Sequence, residues 1–506
     1  MWSEGGFWAS NPIQPSQHYH WPNVSPGTYE KFRADLHDLG FHYNVSVAGI
    51  FAIPEPVAVV PGAYKSHVLR AVAAVVRQHP NLSLQIRRSS SSPDLFVRLP
   101  VVDVEKLVEW RDFTCPPSSG ERDTGRYLEK FLSEQNSVGF KDQQAPLWRI
   151  VCLDLENTRP GNTSGSHECA VCVVYHHAIA DGKSGNAILA TLRDALLEGQ
   201  EVGETEGNFC VWASSSEIPP SMDELVPYST TWRSWLGATL RRYWQYLASF
   251  VITPPKVWTG EVFQQGIKDG RARTLIRVVQ LPGDSTRRLR EKCRAHGTSV
   301  TAMLQILVGD TLFRQYRDAK VVRCATALSL RPFFDPSLGI DDTKVGVWID
   351  AFSWAYKRKD IPDASSAPEN AIWKVAARSK RLIDSEVKKG LNDLSFASLK
   401  GKTDFKPQLM GLLGKARQNT YSITNLGVVP ERPYRDTITG PDSWSLESVV
   451  FSQSAHVNGS AVQFCFISCE KGGLSVSMNW QEGVLQESDM DDVKFRLESE
   501  LYHWSS

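Results

Sequence analysis

The sequence predicts an α/β protein of two lobes, and three observations carry that prediction. Its 506 residues exceed what a single hydrophobic core usually organises. Its first regular segments read strand, helix, strand, and its last third holds closely spaced strands followed by a helix. A hydrophobic share of 42% with 22% charged residues is globular and far from the polar signature of disorder.

Residues 1–30, rich in Pro, aromatics and amides, read as an arm, and regular patterning starts near Gly27. FHYNVSVAGIFAI at 41–53 suits a strand, 64–78 carries apolar residues at helical spacing, and LSLQI at 82–86 returns to strand character, a β-α-β opening. The polar stretch 114–144 reads as irregular. PLWRIVCLDL at 146–155 and ECAVCVVYHH at 168–177 read as a hairpin around a Gly/Ser/Asn-rich turn. Both parities of the second strand are apolar, as in a central strand covered on two sides. After Asp181, Ile188, Leu189, Leu192, Leu196 and Leu197 share a helical face, and Gly199 stands where a C-cap is expected.

The polar, Pro-containing segment 200–230 reads as the connection between an N-terminal domain at 31–215 and a C-terminal domain at 216–506. An aromatic amphipathic helix follows at 231–251, then a helix pair at 285–316 in which Gly297 ends one helix and Ser299 caps the next. Strands are expected at 320–333, 420–424, 445–452, 461–468 and 473–480, with a final helix at 487–503.

Fifty-six Lys and Arg balance 56 Asp and Glu, so no global field draws in nucleic acid or an anionic membrane. The nine Cys form no disulfide framework, which fits a reducing, cytoplasmic setting. The N-terminus lacks a secretory pattern and no apolar run approaches a membrane span. The helix at 231–251, with Trp232, Trp235 and Trp244 beside Arg233, Arg241 and Arg242, reads either as a buried interdomain helix or as a peripheral membrane contact. Cys169 and Cys172 lie on opposite faces of their strand with no second pair, so no metal is expected. The string at 182–184 lacks the leading Gly of a phosphate loop, and no G-x-S-x-G elbow occurs.

One constellation carries chemistry: His176-His177-Ala178-Ile179-Ala180-Asp181-Gly182, a strand end delivering two histidines to a turn before a helix. Such a string arises by chance in roughly one such chain per thousand. A His at the mouth of a buried strand can stay neutral near pH 7, as a general base must. Asp181 bends into the turn, and Gly182 is expected to supply a backbone conformation other residues resist. The plainer reading is two core histidines and a turn aspartate.

The chain resembles the acyltransferase superfamily of chloramphenicol acetyltransferase, plant BAHD acyltransferases and peptide-synthetase condensation domains, and most nearly the fungal alcohol acetyltransferase family. The resemblance rests on LGFHYNV at 39–45, PLWR at 146–149, HHAIADG, PPSMDEL at 219–225, CRAHGTSVTAML at 293–304, SLRPF at 329–333 and TNLG at 424–427, in that order. It implies two chloramphenicol-acetyltransferase-like α/β domains with a tunnel at their interface, acyl-CoA and acceptor entering from opposite ends. It further implies His177 as the base, its ring held by its own carbonyl, and Asp181 as a structural partner of Arg331. Ser422, Thr424 or Asn425 are the oxyanion candidates, and the same residues could simply cap a strand. The D-F-G-W-G string of plant members is absent. Lys400, Lys402, Lys406, Lys415 and Arg417 could meet CoA phosphates or form a solvated loop. His456 and Trp480 fall where the resemblance puts the acceptor side.

The expected activity is transfer of an acetyl group from acetyl-CoA, a co-substrate rather than a resident cofactor, to a hydroxyl of a hydrophobic small molecule by a monomeric enzyme. An amine acceptor, condensation or epimerisation of a carrier-bound acyl group, and silent small-molecule binding are the alternatives. The lack of a fused carrier or adenylation domain favours free CoA as donor, and no nucleic-acid partner is expected.

Overall fold

The computed structural model describes residues 24–88, 94–112, 121–141, 145–155, 167–198, 209–226, 256–262, 273–430 and 443–506. The first 23 residues of the expected arm, the Gly/Ser/Asn-rich turn, Gly199, residues 200–208 and 227–230 of the connection and the aromatic segment at 231–251 lie outside the described residues.

In the first half, helix α1 (Thr28–Asp38) leads into β1 (Asn44–Ala52), the short α2 (Glu55–Ala58) and α3 (Ala63–Gln78). Strands β2 (Leu84–Arg87), β3 (Leu95–Arg98), β4 (Val101–Asp103) and β5 (Val108–Asp112) precede α4 (Glu121–Asn136). Then come β6 (Trp148–Asp154), β7 (Glu168–His176), α5 (Gly182–Leu197), β8 (Cys210–Trp212) and α6 (Met222–Leu225). The second half holds β9 (Thr274–Leu281), α7 (Gly283–Ala295), α8 (Val300–Gln315), β10 (Val321–Ser329) and β11 (Ile349–Lys357). It continues with α9 (Glu369–Val387), α10 (Lys406–Met410), β12 (Asn419–Val428), β13 (Ser445–Gln453), β14 (Ser460–Cys469), β15 (Gly473–Gln481) and α11 (Glu487–Ser505).

The two main sheets run β13-β1-β7-β6-β5 and β11-β10-β12-β14-β15-β9. The expected hairpin forms as the antiparallel β6–β7 pair, and β7 is central and buried along its whole length. Gly297 adopts the left-handed conformation after α7, and the Ser299 side chain accepts from the Ala302 amide to cap α8.

Three features depart from the sequence reading. The segment at 82–86 is split: 80–83 form a 3-10 turn, and β2 pairs only with β3, so no β-α-β unit closes onto β1. The stretch read as irregular contains α4, whose apolar side chains Leu128, Phe131 and Leu132 recur at helical spacing in an otherwise polar segment with Gly125 inside it. Strand β13 leaves the second half of the chain and pairs with β1 in the first sheet, from Val45 opposite Gln453 to Ala52 opposite Ser445.

That crossing merges the interiors. Leu426, Val449, Phe451, Cys465 and Ile467 pack in one cluster with Val47, Val173 and Leu189. At its polar margin, Asn136 ends α4 and donates through Nδ2 to Ser46 Oγ at 3.0 Å, Ser452 Oγ at 3.1 Å and the Leu132 carbonyl at 2.9 Å. Its own carbonyl accepts from Ser454 Oγ at 2.6 Å and Thr274 Oγ1 at 3.3 Å, so one residue binds α4 to β1, β13 and β9. Asn136→Ala strips buried hydroxyls of a partner, and we expect it to lower unfolding free energy by about 1–3 kcal/mol in a denaturant titration.

Candidate functional site

The site forms where β7 runs out. The His176 amide donates to the Leu147 carbonyl at 2.9 Å, completing the strand pairing. Its ring then accepts the Ala178 amide on Nδ1 at 2.9 Å, and the Asn81 amide holds the Ile179 carbonyl at 3.0 Å. The Asp181 amide donates across to the Gly346 carbonyl at 3.0 Å. The turn is therefore pinned from both halves of the chain.

Asp181 is the N-cap of α5 and fully buried. Oδ1 accepts from the Ser184 amide at 2.9 Å, from Ser184 Oγ at 2.9 Å and from Arg331 Nη2 at 2.9 Å. Oδ2 accepts from Arg331 Nη1 at 2.8 Å and the Trp348 amide at 3.0 Å. Arg331 also donates to the Lys344 carbonyl at 3.2 Å and stacks over the Trp348 ring. Burial alone would raise the Asp181 pKa, but Arg331 and the hydrogen bonds outweigh it and hold the carboxyl below its ordinary value. The predicted pairing of Asp181 with Arg331 is thus a bidentate bridge between the lobes.

Gly182 corrects an expectation. It has no left-handed conformation; a Cβ there would stand 2.6 Å from Leu426 Cδ2, so a larger residue would displace the Leu426 side chain.

His177 is 5% exposed. Burial first, then the charge of Arg33, lower its pKa to about 3, so the ring is neutral at physiological pH. Its Nδ1 is sealed from solvent, and the backbone of His177 itself and of Ala180 beside the ring acts to raise its pKa, against burial. The rings of His42 and His177 lie 5.6 Å apart, those of His42 and His456 4.2 Å, and those of His37 and His176 4.4 Å. Among the described residues no such group has the arrangement of metal ligands. Arg33 Nη1 meets His456 Nε2 at 3.2 Å, and Arg33 Nη2 donates to the Tyr29 hydroxyl.

Sequence reasoning missed Tyr29, Arg33 and His37. All three lie on α1 at i, i+4, i+8 spacing, so one helix face delivers them, and that spacing was the available signal. His456 stands in this cluster, at the Arg33 end, whereas Trp480 is fully buried in the second core.

Of the oxyanion candidates, Ser422 and Thr424 are partly exposed on one parity of β12. Asn425 is withdrawn: its Nδ2 donates to Thr301 Oγ1 at 2.9 Å and its Oδ1 accepts the Gly427 amide at 2.9 Å, leaving its amide engaged elsewhere. Of the basic candidates, Lys402 donates to Gln408 and Lys406 pairs with Asp38 at 2.8 Å, while Lys400 and Lys415 are on the surface. Arg417 is corrected too. It is buried, donates to the Glu261 carbonyl at 2.7 Å, and leaves Nε and Nη2 sealed, out of reach of a large polyanion.

A cleft of about 2400 Å³ runs between α4 and the β9–α11 side of the second lobe. His37, His176, Arg88 and Lys406 are in its wall, and His177 is not.

Asp181→Asn leaves the Arg331 cation buried without its counter-charge, and we expect a loss of about 3–5 kcal/mol in unfolding free energy. Acid should also destabilise the fold. His37, His79 and His177 are held near pKa values of about 4, 4 and 3, chiefly by burial. The unfolded chain binds more protons below its ordinary His pKa of about 6.5, so stability is full above that pH and falls as pH drops toward 4. Thermal melts between pH 8 and 4 read this directly.

No family model matches the chain. It is 24% identical over 482 residues to the probable alcohol acetyltransferase crmB of Aspergillus fumigatus, covering 93% of this chain and 97% of that protein. It is 25% identical over 498 residues to the probable alcohol acetyltransferase FCK4 of Fusarium pseudograminearum, covering 94% of each. Among solved structures, TRI3 trichothecene 15-O-acetyltransferase from Fusarium sporotrichioides shares the fold with a TM-score of 0.66 at 12% identity, over 95% of this chain and 94% of that one. The first condensation domain of the calcium-dependent antibiotic synthetase does so with a TM-score of 0.57 at 14% identity, over 96% and 97%. The chain is thus similar over nearly its whole length to two probable alcohol acetyltransferases of fungi, and it shares its fold with a solved acetyltransferase and with condensation domains.

Proposed function

We propose that the chain is an acyl-CoA-dependent O-acyltransferase that moves an acetyl group onto a hydroxyl of a hydrophobic small molecule, with His177 as general base. One observation carries the reading: a neutral, nearly sealed imidazole at the end of the central strand, on a turn locked by a bidentate ion pair between the lobes. The names of its fungal relatives support acetyl as the group and an alcohol as its acceptor.

An alcohol is a weak nucleophile until its proton starts to leave. In the proposed reaction the hydroxyl proton passes to a His177 nitrogen while the oxygen attacks the thioester carbonyl carbon. Collapse of the tetrahedral intermediate breaks the carbon–sulfur bond. The leaving thiolate takes the proton back from the imidazolium, giving an ester, free CoA thiol and neutral His177. Because burial disfavours a charged ring, proton transfer and attack belong to one concerted step. Ser422 and Thr424 remain the donors proposed for the oxyanion; removing one good donor costs about 10²–10³ in rate. Lys400, Lys402, Lys406 and Lys415 remain the proposed contacts of CoA phosphates, with Lys406 already in the cleft wall. A tunnel admitting the two substrates from opposite ends, a monomeric state and a cytoplasmic location belong to the same reading.

A second reading, condensation on a carrier-bound acyl group, is favoured by the fold shared with the antibiotic-synthetase condensation domain. Donor choice separates the two, since only the first releases thiol from free acetyl-CoA.

Thiol release from acetyl-CoA over an alcohol and amine panel tests the proposal. His177→Ala should cut turnover by about 10²–10⁴ while the fold persists. The wild-type acid limb of kcat/KM should lie below pH 5, because His177 protonates only near its pKa of about 3. An alanine variant as active as wild type, or no release with any acceptor, overturns the assignment.

A further inference from the structure

Among the described residues, Arg33 is a cation without a counter-ion at the heart of the site. Its partners are neutral: the Tyr29 hydroxyl, His456 Nε2 at 3.2 Å, and the Tyr29 and Phe32 rings at 4.9 and 6.0 Å. Its Nε is sealed and unpartnered, and no carboxylate pairs with it among the described residues. The other cation of the site, Arg331, has a full bidentate carboxylate. Since Arg33 only donates, His456 accepts on Nε2 and carries its proton on Nδ1. His456 is thus fixed as neutral and offers Arg33 no charge.

An unpaired guanidinium in a largely buried pocket is expensive unless an anion arrives. Arg33, Tyr29 and His456 all keep part of their surface open, whereas His42 and His177 are almost closed. Arg33 also works against its neighbour: its charge is the second cause, after burial, of the low His177 pKa. A base held down by a neighbouring cation is relieved once a bound anion neutralises that cation.

We propose that Arg33 is the docking point for a carboxylate carried by the acceptor, so that the preferred substrates are hydroxy acids. This rests on the acyltransferase reading above. The anion is assigned to the acceptor rather than to CoA because the CoA phosphates sit a whole pantetheine arm from the reacting sulfur, while Arg33 acts on the base itself.

The test uses the full chain, acetyl-CoA, and 3-hydroxy and terminal hydroxyalkanoates of graded length, each beside its methyl ester. Wild type should favour acids over esters at least tenfold in kcat/KM, and the acids alone should raise its Tm in a concentration-dependent manner without acetyl-CoA. Arg33→Gln should lose both the preference and the Tm shift, and its acid limb should move to higher pH as the repelling charge goes; Arg33→Lys, which keeps the charge, should retain part of the preference. A wild type indifferent to the carboxylate, or a preference that survives in Arg33→Gln, overturns the proposal. A Tm shift that depends on Arg33 without thiol release leaves the anion site standing and sinks the acyltransferase reading instead.

Discussion

The Asp181 carboxylate is the constraint on which the geometry of this molecule depends. Each of its oxygens is saturated, and its donors come from α5 through Ser184, from the turn after β10 through Arg331, and from the strand-like segment before β11 through Trp348. A buried ion pair is seldom a net source of stability, because desolvation cancels most of the attraction. What it supplies here is position. Any rotation of one lobe against the other breaks several charge-assisted hydrogen bonds at once, so the turn bearing His177 has a single setting.

A second tie acts through the backbone. Because β13 belongs to the second half of the chain and pairs with β1 beside β7, the strand carrying the histidines is one neighbour away from the other lobe's chain. Side chains from both halves then share one apolar cluster. Opening the lobes would mean unzipping a ladder of main-chain hydrogen bonds as well as exposing core. The wide cleft along α4 has His37 and His176 in its wall.

How much of this was legible follows from the range of the interactions involved. The long strands β7, β14 and β15, the hairpin and the cap at Ser299 were readable because burial pattern and capping chemistry are local. Asp181 and Arg331 were named through the resemblance, and no spacing rule connects residues so distant in sequence. Helix α4 was missed because its polar excess masks three apolar positions, and its stability comes from Asn136 and the strands it grips. The β13 crossing left no local trace at all. Asn425 and Arg417 were plausible by residue type, and only their partners decide against them. The Tyr29, Arg33 and His37 face was visible as spacing but carried no motif to draw attention to it.

The burial that positions His177 also weakens it for the base role proposed here, and the two effects have the same origin. A site dry enough to strengthen every electrostatic interaction penalises the imidazolium that the proposed catalysis must form. Asp181 offsets this only in part. Its charge favours protonation of His177, but its oxygens are already committed to Arg331, so much of that field is neutralised at source. Arg33, by contrast, has no carboxylate partner among the described residues and acts in the opposite sense. The free protein is therefore arranged against proton transfer. Charge brought by the substrates is what can reverse the balance: negative charge developing on the thioester oxygen, or already present on the acceptor, meets a prepared excess of positive potential. On the proposed reaction, the resting electrostatics would suppress idle chemistry on the thioester and reward the correctly charged complex.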